Sequence, residues 1–322
     1  MAAPVRHFSF ALALGVISCA AMGKKPNITI VGPGRLGSAL TFSLVQAGYQ
    51  IDELVSRERA ESLRRARQIA RKLGARTNTL SRAKLESDVV WLCVGDSSIR
   101  GCAETLARRE DLLWKGKLVF HSSGALSSDE LSSLRKCGAS VASVHPMMSF
   151  VHAAKPSLAG VTFALEGDSA AIRAARKIVR DLKGDVISVA KADKALYHAW
   201  GGFSSPLIIA ELAMADLVAK QIGLSPAKAR KTLAPILRQT VENYIAHGSA
   251  AAFSGPLVRG DVATIARHLE ALKKVPQARA VYLALARAAL GQLPVANATE
   301  IQKALGRSAG PRPAIARTSR PR

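Results

Sequence analysis

Ile28-Thr29-Ile30-Val31-Gly32-Pro33-Gly34-Arg35-Leu36-Gly37 is the stretch that decides the fold. Four strand-favouring residues run into a glycine-rich turn, and the apolar helical stretch Leu36–Ala47 follows at once. That strand–turn–helix order separates a dinucleotide-binding GxGxxG pattern from a chance cluster of glycines. Gly32 would permit the tight turn, Gly34 the close approach of backbone to a pyrophosphate, and Gly37 close helix–sheet packing. Pro33, Arg35 and Leu36 complete the loop, and the helix N-terminus turns free N–H groups and a positive dipole end toward an anion.

Working outward, short β-rich runs alternate with amphipathic helices. Strands are expected at Asn27–Val31, Tyr49–Val55, Val89–Val94, Lys117–His121, Ser140–Val144, Val161–Leu165 and Asp185–Ser188, with a weaker one near Ala75–Thr77. Between them lie the helical stretches Leu36–Ala47, Glu58–Leu73, Ser98–Arg108, Ser127–Cys137 and Ser169–Leu182. Strands recurring between helices predict an α/β Rossmann domain with a mostly parallel sheet and right-handed crossovers. After about Lys191 the β signal stops, and Lys194–Ile222, Ala227–His247, Val262–Lys274 and Gln277–Leu290 read as long helices. Pro206 should kink or split the first of them, because proline removes a backbone donor. The chain therefore divides into a Rossmann domain over residues 22–190, an all-α domain over 191–306 and a disordered basic tail over 307–322.

The 322 residues exceed one average domain, and 48% hydrophobic content is ample for two cores. Cys19, Cys93, Cys102 and Cys137 form no CxxC pair and no His/Cys cluster at zinc spacing. Reduced thiols in a reducing compartment are expected, with no metal. Lys and Arg number 46 against 23 Asp and Glu, a formal charge of +23. The basic residues are scattered along helical stretches, and aromatic residues make up only 5%. That pattern argues for solvated helix faces with some anion-binding positions, and against a specific nucleic-acid surface. Phe8–Ala21 follows Arg6 and His7 as an apolar stretch that imitates a short signal peptide. It is short for a membrane span. Residues 1–21 are read as a mis-assigned start, with Met22 the true one, against a signal or membrane-associated segment. The expectation is a cytoplasmic protein without stable membrane association.

The second strand bears on the choice of cofactor. NAD-selective sites place an acid roughly 20 residues beyond the glycines, to bind the ribose hydroxyls. Here the chain runs Leu54-Val55-Ser56-Arg57-Glu58-Arg59, with no acid at the strand end. Ser56 and Arg57 can hydrogen-bond and neutralise a 2′-phosphate, which favours NADP(H). Arg57 could instead be an exposed helix-start residue. Two further strand ends, Val94-Gly95-Asp96-Ser97-Ser98 and His121-Ser122-Ser123-Gly124, fall at the carboxyl edge where such sheets bind ligands. Asp96 and Ser98 could equally cap the following helix.

These residues resemble a family of Rossmann-like proteins with a C-terminal helical domain of unknown function, described as NADP oxidoreductases. The family is similar to pyrroline-5-carboxylate reductases, ketopantoate reductases and β-hydroxyacid dehydrogenases. The likeness runs from Asn27 to Leu290, through Gly32–Gly37, Asp88–Ile99, His121–Leu126, Val144–Phe150, Thr162–Asp168, Lys194–Ser205 and Ser254–Asp261. In the related dehydrogenases a lysine, with a polar partner one turn on, serves the substrate carbonyl or hydroxyl. Lys194-Ala195-Leu196-Tyr197-His198 is the matching stretch, and its i, i+4 spacing puts Lys194 and His198 on one helix face beside Tyr197. The resemblance implies Lys194 or His198 as proton donor, although a lysine at a helix start is commonly solvated and Tyr-His can be packing. His145 in His145-Pro146-Met147-Met148-Ser149-Phe150 binds substrate or orders its loop. Arg259 in Ser254–Asp261 binds a substrate carboxylate or pairs with Asp261. Ser123, Gly124, His145, Tyr197 and Arg259 are the expected substrate positions. Met148 and Pro206 depart from the family's usual Gln and Asn, which removes two polar contacts.

The implied activity is NADPH-dependent reduction of a small carboxylated oxo acid of the ketopantoate kind, or of an imine, by a homodimer. A non-catalytic NADP(H)-binding regulator or scaffold is the alternative, kept open by those two departures.

Overall fold

The computed structural model describes residues 25–151 and 157–306. The apolar N-terminal stretch with Met22, and the tail 307–322, lie outside the described residues. The chain forms two compact units that divide between Gly201 and Gly202.

The first unit is built on eight strands: β1 (Ile28–Val31), β2 (Ile51–Ser56), β3 (Arg76–Thr79), β4 (Val89–Leu92), β5 (Leu118–His121), β6 (Ser140–Pro146), β7 (Thr162–Gly167) and β8 (Asp185–Ser188). Its helices are α1 (Arg35–Gln46), α2 (Ala60–Leu73), α3 (Asp96–Ala107), α4 (Ser132–Lys136) and α5 (Ser169–Asp181). The strand order is β3-β2-β1-β4-β5-β6-β7-β8. All neighbours are parallel except β6 and β7. The sheet is thus mostly parallel, as the alternation of strands and helices predicts. All eight expected strands are present, the weak one included. The expected helix at Ser127–Cys137 is a 3-10 turn, Ser128–Leu131, followed by the short α4. Both Ser127 and Ser128 are tied up in side-chain hydrogen bonds there, and such bonds compete with the helical ladder.

Strands β1 and β4 are buried at every residue. That burial is why they are almost wholly apolar rather than alternating, the buried Thr29 of β1 being hydrogen-bonded to Ser87. One face of the sheet packs Leu40 and Leu44 of α1, Ile69 and Ala70 of α2, and Ala171, Ala175 and Ile178 of α5. The other face packs Ile99, Ala103 and Leu106 of α3 with Leu134 of α4. Trp91 and Phe120, both fully buried, meet edge-on across β4 and β5 at 5.2 Å. The chain leaves β1 toward β2 on one side, while β4 pairs on the other. That reversal opens a crevice at the carboxyl edge between them.

α6 (Lys194–Ser204) begins near the sequence boundary expected after residue 190, but its first turns stay with the sheet unit. The reason is burial: Lys194 is 2% and Tyr197 7% exposed. Pro206 splits the expected long helix, as its missing donor requires. Ser205 leaves the helical region at φ −141° and ψ −82°, and Pro206 opens α7 (Pro206–Gln221). The stretch Lys191–Gln221 is long enough to cross a membrane and holds an 18-residue window of mean hydropathy 1.4. The break at Ser205 divides it.

The second unit is helical: α7, α8 (Pro226–Ala252), α9 (Pro256–Arg259), α10 (Val262–Ala271), α11 (Pro276–Gln292) and α12 (Ala298–Ala304). Its core is small and centres on Ile265, Leu269, Ala286, Ile301 and Leu305. Helix α12 has no counterpart in the sequence reading. Seven residues with one buried side chain, Ile301, are too few for a periodic signal.

Candidate active site

The glycine turn decides the geometry of the crevice. Gly32 sits at φ +91°, and a Cβ there would meet the Cys93 carbonyl oxygen at 2.9 Å. A Cβ on Gly37 would collide with the Gly32 carbonyl oxygen, so that position fixes how closely α1 approaches the turn. Gly34 differs from both, because the nearest atom to its imagined Cβ is 4.0 Å away. A side chain at Gly34 would fill the crevice rather than the protein. This is the cradle a pyrophosphate needs, at the N-cap of a 12-residue helix with no side chain to cap it.

The crevice encloses about 860 Å³ and is walled by Gly32–Arg35, Ser56, Arg57, Val94 and Gly95. These are the positions the sequence proposed for a cofactor, apart from Leu36, Gly37 and Asp96. Leu36 and Gly37 belong to the first turns of α1, and Gly37 is buried against the turn. Asp96 opens α3, where Gly95 is the N-cap residue. Its carboxylate accepts from the Ser123 hydroxyl at 2.8 Å, so it links the crevice wall to the neighbouring loop rather than capping the helix. Ser98, in the strand end read as a ligand edge, lines the crevice too, while Ser62 and Arg65 of α2, Leu80 after β3, and Cys102 and Thr105 of α3 also line it and were missed. Ser62 and Arg65, an i, i+3 pair, share one face of the helix that follows Arg57.

Beside the crevice, the carboxyl ends of β5 and β6 meet the start of α6. Lys194 is buried, yet its ammonium is satisfied: it donates to the Ser123 carbonyl oxygen at 3.1 Å and to Ser143 Oγ at 2.8 Å. Ser143 in turn donates to the same carbonyl at 3.0 Å. Burial pushes the lysine down to about 8, against the pull of Glu166 and Asp96. Tyr197 shares a 2.8 Å hydrogen bond with His145 Nδ1, and its ring lies 5.6 Å from the Lys194 ammonium. Burial raises the phenol to about 12 and, with the charge of Lys194, lowers His145 to about 4. At neutral pH the pair is therefore a protonated tyrosine on an uncharged imidazole. His198 is exposed, with its ring 5.9 Å from that of His145. A Cβ on Gly124 would lie 2.5 Å from His198 and 2.9 Å from His145. Only glycine lets the three side-chain-bearing segments converge.

The structure thus brings together Lys194, Tyr197, His198, His145, Ser123 and Gly124. Ser143 was missed. Its signal was faint, a small polar residue within an otherwise apolar strand. The His145 ring partners Tyr197. Arg259 lies in the helical unit, exposed at the end of α9. Asp261 makes no ion pair with it among the described residues. Instead Asp261 caps α10, accepting from the Thr264 N–H at 3.0 Å. Among the described residues no cluster of three metal-ligating side chains occurs.

Sheet order, crevice and glycine cradle define a Rossmann-type nucleotide-binding protein with an appended helical unit. The Rossmann-like family model matches residues 17–146, and the domain of unknown function DUF2520 matches residues 161–289. The chain thus joins a Rossmann-like domain to a DUF2520 domain in that order. A Bacteroides fragilis protein described as a "putative NADP oxidoreductase" shares the fold at TM-score 0.69 and 20% identity, over 82% of this chain and 97% of that one. An imine reductase from Myxococcus stipitatus in complex with NADP+ aligns at TM-score 0.61 and 20% identity, covering 85% and 98%. A reductive aminase from Aspergillus terreus with NADPH and ethyl-5-oxohexanoate aligns at 0.59 and 18%, covering 86% and 99%. No curated protein matches the chain.

Proposed function

We propose that this chain is an NADP-dependent reductase of a small C=O or C=N substrate. The observation that carries the reading is a buried, hydrogen-bonded Lys194 at the same sheet edge as a dinucleotide-sized crevice. Burying an ammonium costs free energy, and titratable groups shifted by burial beside a cleft cluster at functional sites. NADPH, when bound, supplies the hydride. Gly32–Gly37 would hold its pyrophosphate, and Ser56 with Arg57 its 2′-phosphate, with Arg65 on the next helix adding positive charge.

The chain's own groups handle the proton and the developing charge. Lys194, with a value near 8, is mostly protonated at neutral pH and close enough to it to give up a proton. It also offers positive charge to an oxygen or nitrogen gaining electrons. Ser123 and Ser143 fix where that charge stands. As the Nδ1–H tautomer His145 donates to the Tyr197 oxygen, which leaves the phenol proton free to be donated in a hydrogen bond to substrate. Such a site suits a small oxo acid of the ketopantoate kind or a cyclic or open imine. The neighbours named for imine reduction and reductive amination support the imine arm. We place the protein in the cytoplasm, with its NADPH pool.

We also read it as a homodimer. Residues 239–251 of α8 are exposed throughout, including Val241, Tyr244 and Ile245 at 50%, 58% and 75%. A lone helix of that length is marginal in water, so its apolar residues call for a covering surface.

The test begins with fluorescence titration of NADPH and NADH into wild type and Arg57→Ala. Loss of a charged contact to the 2′-phosphate predicts about ten- to a hundredfold weaker NADPH binding with NADH unchanged. A panel of 2-oxo acids and imines then reports NADPH oxidation in wild type and Lys194→Met. Tight NADPH binding with no turnover across the panel would favour the regulator or scaffold reading instead.

A further inference from the structure

His121 ends β5, is fully buried, and takes no part in the chemistry above. Its ring nevertheless closes a turn. Nδ1 accepts from the Ser123 backbone N–H at 3.1 Å, and Nε2 lies 2.9 Å from the Ser127 carbonyl oxygen. Because Nδ1 is an acceptor, the proton must sit on Nε2, which then donates to Ser127. A second proton on Nδ1 would face the Ser123 N–H, donor against donor. Burial and the charge of Lys194 on α6 lower the affinity of this ring for that proton, against Glu166 of β7 and Asp96 of α3.

The turn so closed is the one that meets Lys194. The Ser123 hydroxyl accepts from the Leu126 N–H at 3.0 Å while donating to Asp96. Glu166 holds the far end through Ser128. The peptide between Ser122 and Ser123 is oriented by His121 alone among these groups, and the adjoining Ser123 carbonyl receives both Lys194 and Ser143.

We propose that His121 is a positioning residue for Lys194: as a neutral Nε2–H imidazole it staples the Ser122–Ser127 turn, so that the Ser123 carbonyl oxygen faces the lysine ammonium. It touches neither substrate nor cofactor. The inference rests on the reductase reading only for its importance, because the staple itself is a property of the protein without ligand.

The test uses the full chain without nucleotide. Nitrogen-15 histidine NMR of wild type should show His121 as the neutral Nε2–H tautomer from pH 5.5 to 8.5, to which the fold-retaining variants add a second reading. His121→Phe keeps a ring and loses both hydrogen bonds; His121→Asn restores an acceptor for the Ser123 N–H. With carbon-13 lysine labelling, the Lys194 titration, assigned through Lys194→Met, should fall by a unit or more in His121→Phe. That is a tenfold change in its protonation equilibrium. Most of the shift should return in His121→Asn, with NADPH affinity held within about twofold in both. A His121 that titrates like a free imidazole, or carries its proton on Nδ1, overturns the proposal in wild type alone. An unchanged Lys194 titration in a folded His121→Phe overturns it as well. Absence of turnover on every substrate, with the Lys194 shift present, would count against the reductase reading and leave the staple standing.

Discussion

Two glycines of one turn should fail in opposite ways when given a methyl group. Gly32 lies at φ +91°, where an L-residue pays roughly 1–2 kcal/mol. An added Cβ would also stand 2.9 Å from the Cys93 carbonyl oxygen and 3.0 Å from Val94 Cγ1. Overpacking against backbone adds a similar amount, so Gly32→Ala should lose about 2–4 kcal/mol. At about 2–4 °C per kcal/mol for a unit of this size, the melting point should drop by about 4–16 °C. Gly34 has φ −76° and no atom nearer than 4.0 Å to its Cβ. Gly34→Ala should therefore melt within about 1 kcal/mol of wild type. Its methyl would instead occupy the place of the pyrophosphate, weakening NADPH binding about ten- to a hundredfold. Differential scanning fluorimetry without nucleotide and fluorescence titration with NADPH separate the two effects. If Gly34→Ala is destabilised as much as Gly32→Ala, or binds NADPH like wild type, the geometric argument fails.

Acid should destabilise the sheet unit through His145. Its imidazole is held near 4 in the fold against about 6.5 in the unfolded chain. Between these values the unfolded state binds the extra proton. The contribution is thus complete above about pH 6.5 and is lost as pH falls toward 4, up to about 3 kcal/mol. Urea unfolding at pH 7.5 and pH 5 should show this loss in wild type and a smaller one in His145→Gln; equal slopes would refute it. The exposed α8 residues predict a solution mass near twice 34.0 kDa by light scattering. Ile245→Glu should move the population toward monomer, whereas a wild-type monomer would remove the dimer reading.

Much of the first unit was legible because its signals are local. Gly32, Gly34 and Gly37 announce themselves by spacing, and β1 and β4 by short β-branched and apolar runs next to turn signals. Even Pro206, read as a helix breaker, broke the helix where it stands. The site was legible in part. Lys194, Tyr197 and His198 share a helix face, and helix periodicity reveals that. Ser143 carried only a faint mark, a polar residue within a strand, since it matters only for what stands across from it.

The amino-acid order by itself determined the αβ alternation, the glycine cradle, the missing acid after β2 and the change to helices near residue 190, since each rests on contacts a few residues apart. Only the tertiary structure decided that β7 runs antiparallel to β6, that Lys194 is buried on the Ser123 carbonyl and Ser143, and that His145 partners Tyr197. Those pairings join residues 17 to 71 positions apart. Their energy comes from burial that the whole fold creates, and no local pattern encodes it.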